Sequence, residues 1–208
     1  MTIDTLETLR QKYPSPKPRA LAKQLTRLDA HGRRFISLAP FVVVSTVGRD
    51  GRVDASPRGG APGFVRVVND TTLQFPDALG NNRLDSFTNI VETKRIGMIF
   101  LVPGMDETLR INGTAKLRDD EELLREFPHE KHPPRLVVEI SIEEAYLHCA
   151  KALMRSKLWA PDYRIDRALF PSMGQMIRDQ SGLADPVETQ ARSEEHTSEL
   201  QSQSTISY

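Results

Sequence analysis

Apolar residues follow two rhythms along the chain. Before residue 35 they recur at helical spacing in two short pieces, "TLETLRQKY" and "PRALAKQLTRL", broken by prolines at positions 14, 16 and 18. Proline lacks the amide hydrogen that a helix interior needs, so it ends each piece. "DAHGRRFISLAP" reads as a turn leading into the body. From Phe41 the period shortens to that of strands. "FVVVSTVG" (41–48) is a run rich in β-branched residues, as a buried strand requires. "RDG" then signals a hairpin, and "RVDASPR" (52–58) alternates. "FVRVV", "TLQF", "RIGMIFLVPG" (95–104), "ETLRINGTAKLR" (107–118) and "RLVVEISIEEAYLHCA" (135–150) are further strand-like runs. Gly113 lies inside one of them, which predicts a bulge or a close approach by another group.

Helical spacing returns in "RLDSFTNIVET" (83–93), where Leu84, Phe87, Ile90 and Val91 fall on one predicted face. "DDEELLREF" reads as a helix with acidic residues at its start, where the helix dipole favours them. "KALMRSKLW" reads as a turn or short helix, and "MGQMIRDQSG" as a terminal helix. Closely spaced strands, short turns and single interrupting helices predict a mainly β, α+β domain built on an antiparallel barrel of five or six strands. The absence of regular βαβ alternation argues against a doubly wound parallel sheet. The organisation expected is an N-terminal helical segment (1–34), a barrel (35–160), a C-terminal helical segment (161–191) and a polar tail (192–208). That tail, "RSEEHTSELQSQSTISY", resembles a translated sequencing adapter and is set aside as non-native and disordered.

Composition narrows the class further. A chain of 208 residues with 38% apolar and 27% charged residues reads as soluble and globular. Lysine plus arginine (28) equals aspartate plus glutamate (28), so bulk charge gives no reason to expect nucleic acid. No apolar run approaches the ~20 residues of a membrane span. The first residues lack the basic-then-apolar order of a secretory signal. Cys149 is the one cysteine, so no intrachain disulfide can form and a cytoplasmic location is expected.

Candidate chemistry gathers in a few places. In "FPDALGNNRLDSFTNI" (75–90) a strand gives way to a helix through Gly80, Asn81, Asn82 and Arg83. Asn81 or Asn82 can serve as N-cap, and Arg83, Ser86 and Asn89 recur at helical spacing. Unpaired N–H groups, the helix dipole and a guanidinium together suit a phosphate. The same pattern also describes a plain capped helix with a solvated arginine. In "DASPRGGAPGF", Ser56 and Arg58 lie two apart and face one side of a strand. Pro57 marks that strand as an end or an edge. Thr108, Arg110 and Asn112 share another strand face. Lys151, Arg155 and Ser156 stand near Trp159, a combination suited to an aromatic anion. His148 and Cys149 are adjacent and so point apart, which makes Cys149 a buried, inert thiol rather than a nucleophile. His129 and His132 lack the further ligands of a usual metal set, and no metal is expected.

The order "SPRGG", "GNNRLDSFTNI", "FLVPG", "ETLRINGTA" and "HCAKALMRSKLW" resembles the pyridoxamine 5'-phosphate oxidase-like FMN-binding proteins, in particular the branch described as PPOX-class FMN-dependent enzymes. The resemblance runs from Phe35 to Trp159. It implies a six-stranded, Greek-key split β-barrel with flanking helices, forming a homodimer with FMN at the subunit interface. Arg58 with Asn82, Arg83 and Ser86 would take the phosphate and ribityl end, and Asn81 and Asn89 would also belong to the cofactor-binding set. Ser56 and Arg110 would line the same cleft. Lys151, Arg155, Ser156 and Trp159 would approach the flavin ring from the partner subunit. The implied activity is hydride transfer between FMN and a small organic substrate. A flavin carrier or sensor, or a deazaflavin-dependent reductase, would use the same barrel. Pyridoxamine phosphate oxidases follow this Trp with an Arg-x-His block; "LWAPDYRIDRAL" departs from it and leaves the substrate open.

Overall fold

The computed structural model of the chain describes residues 2–78, 82–127 and 133–182. Among these, the residues up to Phe127 and from Pro134 to Ser156 form one compact unit; Pro133 and those from Lys157 to Gly182 belong to a second.

Seven strands build the first unit: β1 (Phe41–Val47), β2 (Val53–Gly59), β3 (Arg66–Asn69), β4 (Thr72–Pro76), β5 (Arg95–Leu101), β6 (Thr108–Arg118) and β7 (Val137–His148). They form one antiparallel sheet in the order β2-β1-β5-β6-β7-β4-β3. The expected count of six falls one short because even the four-residue β3 joins. A tight turn folds it onto β4, with Asn69 Oδ1 accepting from the Thr71 amide at 2.9 Å. Hairpins join β1 to β2, β3 to β4 and β5 to β6; β6 reaches β7 by a longer connection, and β2→β3 and β4→β5 cross the sheet.

Alternation sorts the side chains. Val42 and Val44 of β1, Ile96, Met98 and Phe100 of β5, Leu109 and Ile111 of β6 and Ile140 of β7 all point into one core. Burying each large apolar side chain contributes roughly 1.5–3 kcal/mol. The opposite face leaves Phe41, Val53 and Ile99 exposed. Gly113 sits at a register shift between β6 and β7, where Asn112 pairs with Glu144 but Gly113 with Ile142. A β-carbon there would lie 2.0 Å from the Ser141 carbonyl oxygen, so glycine is required by close backbone approach.

The N-terminal pieces form α1 (Leu6–Lys12) and α2 (Pro18–Ala22). "DAHGRRFISLAP" is not the turn its sequence predicts but a helix, α3 (Ala30–Leu38). Asp29 caps it, accepting from the Gly32 amide at 2.7 Å. Its buried side puts Phe35 and Ile36 into the same core as Leu28. The core therefore draws on residues before position 35. The remaining helices are α4 (Asp85–Thr93), α5 (Glu121–Arg125), α6 (Lys151–Ser156) and, in the second unit, α7 (Met173–Ser181), which ends at Gly182 in a left-handed cap. No helix among the described residues is long and apolar enough to cross a membrane.

Candidate functional site

Helix α4 lies in the β4→β5 crossing and packs over β1 and β2. It begins two residues later than the spacing predicts. Asn82 and Leu84 both adopt left-handed backbone (φ 57° and 60°), and the cap position falls on Leu84 with no side-chain cap bond. The asparagine cap is therefore absent at Asn82; Gly80 and Asn81 lie outside the described residues. With the helix starting at Asp85, Leu84 leaves the apolar face and is 54% exposed, while Val91 turns outward at 62%. Ile90 is buried, and Phe87 packs partly buried against the core.

The same late start separates Arg83 from Ser86 and Asn89. Arg83 is exposed, and its Nε donates to Asp85 Oδ2 at 2.8 Å. That hydrogen bond and the Asp85 charge, with a smaller contribution from Asp54, raise the guanidinium pKa. Ser86 is buried inside the packing. Its hydroxyl donates to Asp54 Oδ2 at 2.6 Å and accepts from Arg58 Nη2 at 3.3 Å. Asn89 points at β1, donating from Nδ2 to Thr46 Oγ1 at 3.0 Å.

On β2, Asp54, Ser56 and Arg58 share one half-buried face, as two-residue spacing requires. β2 is an edge strand, as Pro57 predicts. Asp54 was reachable by the same spacing rule but carries no anion-binding chemistry, so only its contact with Ser86 draws attention to it. Arg58 lies 5.8 Å from the Phe87 ring centroid. Its one hydrogen bond among the described residues goes to Ser86, and no carboxylate forms an ion pair with it. A half-buried guanidinium with no direct ion pair among the described residues is a natural anion site.

Arg110 is elsewhere. Cross-strand pairing runs Arg58–Val42–Phe100–Leu109, so Arg58 shares a face with Leu109, and Arg110 projects from the other side of the sheet. Within one chain Ser56 and Arg110 therefore do not line one cleft. Arg110 lies 5.7 Å from the Tyr146 ring, and Asn112 donates to Glu144 Oε2 at 2.7 Å. Thr108 is buried. An open cleft of about 450 Å³ on that outer side is lined by Ser45, Gly97, Asn112 and Glu144, among others.

On α6, Lys151 and Arg155 stand one turn apart and exposed, while the Ser156 hydroxyl donates to the Leu153 carbonyl at 3.0 Å. Trp159 is half-buried in the second unit. Cys149 is exposed, not buried as expected, because β7 ends at His148 and the thiol lies past the last paired residue. His129 and His132 lie outside the described residues.

Residues 28–149 match the pyridoxamine 5'-phosphate oxidase family. The chain belongs to that family. The antiparallel sheet with its flanking helices is the family's split β-barrel. The match begins at Leu28, so it takes in α3, and it ends at Cys149, before Lys151, Arg155, Ser156 and Trp159. Among solved structures, HupZ of Group A Streptococcus is 19% identical (TM-score 0.48), covering 58% of this chain and 93% of its own. A putative pyridoxamine 5'-phosphate oxidase from Lactobacillus delbrueckii is 21% identical (TM-score 0.47; 60% and 98%). An FMN-binding protein from Syntrophomonas wolfei is 13% identical (TM-score 0.44; 69% and 97%). No curated protein matches the sequence.

Proposed function

We propose that this member of the pyridoxamine 5'-phosphate oxidase family binds FMN and acts as an oxidoreductase on a small organic molecule. The observation that carries the proposal is Arg58: half-buried, with no direct carboxylate contact among the described residues, and hydrogen-bonded to Ser86 at the base of α4. Such a cation fits a phosphate better than it fits solvent. Arg83, at the entrance of the same helix, would add a second charge. FMN when bound supplies the redox chemistry, accepting or giving hydride at its ring. The chain's own residues bind and orient it: Arg58 and Arg83 at the phosphate, Ser56 beside them on β2.

Arg110, Lys151, Arg155, Ser156 and Trp159 belong to a second role in this reading. They would meet a flavin held by another copy. The exposed apolar face supports that arrangement. Phe41, Val43, Pro57, Ile99 and Leu101 adjoin one another across β2, β1 and β5. A contiguous apolar patch on a sheet face is the kind of surface that a homodimer covers. The working compartment in this proposal is the cytoplasm.

The test is titration of the purified chain with FMN, followed by flavin fluorescence and absorbance. Saturable binding of FMN, with riboflavin much weaker, is expected. Reduction of the bound flavin by a nicotinamide donor, then reoxidation by candidate acceptors, would establish turnover. Equal affinity for FMN and riboflavin would remove the phosphate site from the proposal.

A further inference from the structure

The arginine site contains its own anions. Asp54 reaches the Ser86 hydroxyl at 2.6 Å, and that hydroxyl in turn touches Arg58 at 3.3 Å. Asp85 bonds Arg83 at 2.8 Å. Two arginines are thus met by two aspartates. Ser86 gives its proton to Asp54, so in this arrangement it offers only lone pairs to Arg58 and none of its hydrogen to a ligand. Asp54 also adds a small charge contribution at Arg83. A phosphate arriving at Arg58 would meet a fixed carboxylate one hydroxyl away. Like charges at such range oppose binding by an amount that one added charge can tune.

Resting on the FMN reading above, we propose that Asp54, supported by Asp85, is a resident counter-anion of this site: it offsets Arg58 and Arg83 when no ligand is present, and it lowers the affinity for the incoming phosphate so that FMN is held exchangeably. Ser86 is the positioning residue that fixes Asp54 beside Arg58. Its buried hydroxyl links helix α4 to strand β2, so the carboxylate cannot swing away without breaking that link.

The experiment compares the full-length wild type with Asp54→Asn and Asp85→Asn. Asparagine keeps an oxygen to accept from Ser86 while it removes the charge. Titrations with FMN and with riboflavin are read by flavin fluorescence. FMN is expected to bind Asp54→Asn on the order of tenfold more tightly, the effect of one charge at intermediate dielectric. Riboflavin, lacking the phosphate, should be unchanged. Asp85→Asn, at an exposed pair, should shift the FMN-to-riboflavin preference the same way by less. A preference that stays constant or narrows overturns the proposal. If Asp54→Asn does not fold, Asp85→Asn alone decides on the same criterion. Thermal melts with inorganic phosphate separate this idea from the cofactor reading. If no protein binds flavin, the FMN reading fails. A larger phosphate-induced rise in melting temperature for Asp54→Asn than for wild type would still uphold the counter-anion, and an equal rise would overturn it.

Discussion

Asn89 donates from Nδ2 to Thr46 Oγ1 at 3.0 Å, and this bond fastens α4 to the C-terminal end of β1. One turn later Thr93 Oγ1 donates to the Val47 carbonyl at 2.8 Å. Thr46 is buried, so the bond is shielded from water. Asn89 is therefore a strut of the site, not a group presented to a ligand. Thr46→Val, nearly equal in shape, leaves the amide without its acceptor. It should cost about 1–2 kcal/mol, read as a lower urea midpoint with an unchanged slope.

The two arginines of the site should differ. Arg58→Ala removes a half-buried guanidinium that has no ion pair among the described residues, and should weaken FMN by roughly 1.5–3 kcal/mol. Arg83, with its side chain 72% exposed and paired to Asp85, should matter less, at under about 1 kcal/mol. Calorimetric titration of both variants checks the order. The reverse order would move the phosphate from β2 to the loop before α4.

Gly113→Ala tests the bulge. The added carbon would fall 2.0 Å from the Ser141 carbonyl oxygen, and backbone cannot rotate aside as a side chain can. A loss of about 3 kcal/mol or more is expected in chemical denaturation. Gly51→Ala is a different case. Open space surrounds that site, but its φ of 83° strains any side chain, so a smaller loss of about 1 kcal/mol is expected.

Acid should loosen the far side of the sheet. Burial alone would raise the Glu139 pKa. Hydrogen bonds from Lys116 (2.8 Å) and Gln74 (2.6 Å), with the charges of Lys116 and Arg118, outweigh it and hold the carboxyl below its ordinary value of 4.5. A depressed folded pKa means the unfolded chain takes up protons first as pH falls. The stabilisation is thus full above about 4.5 and is lost as pH drops through the lowered folded value. Glu139→Gln should be less stable than wild type at neutral pH, and the gap should shrink in acid. Melting curves across that range check it; a gap independent of pH would exclude this cause.

Ile99, 42% exposed at the middle of the outer apolar strip, is the place to test self-association. Ile99→Asp should shift a homodimer to monomer in sedimentation velocity without altering the monomer's fold. An unaltered dimer would place the contact on another surface.

Strands were legible because burial obeys a period of two. The runs around Val42, Met98, Ile111 and Ile140 announce themselves, as does the crowded position at Gly113. Helix α3 was not, since Gly32, Arg33 and Arg34 interrupt its apolar spacing and its order comes from Asp29 capping and core contact. Arg58 and Ser56 were legible from two-residue spacing on an edge strand. The α4 start was not, because it follows two left-handed residues, Asn82 and Leu84, and apolar spacing does not report backbone conformation. Which face Arg110 occupies depends on three successive strand pairings, and a single-residue offset reverses it.

Pro57 sits in the free edge strand β2, on the outer side of the sheet. It removes one backbone donor from a rim that would otherwise be complete. A foreign strand laid along that rim would find its ladder broken at mid-length. Fibre-like growth through this border is thereby discouraged.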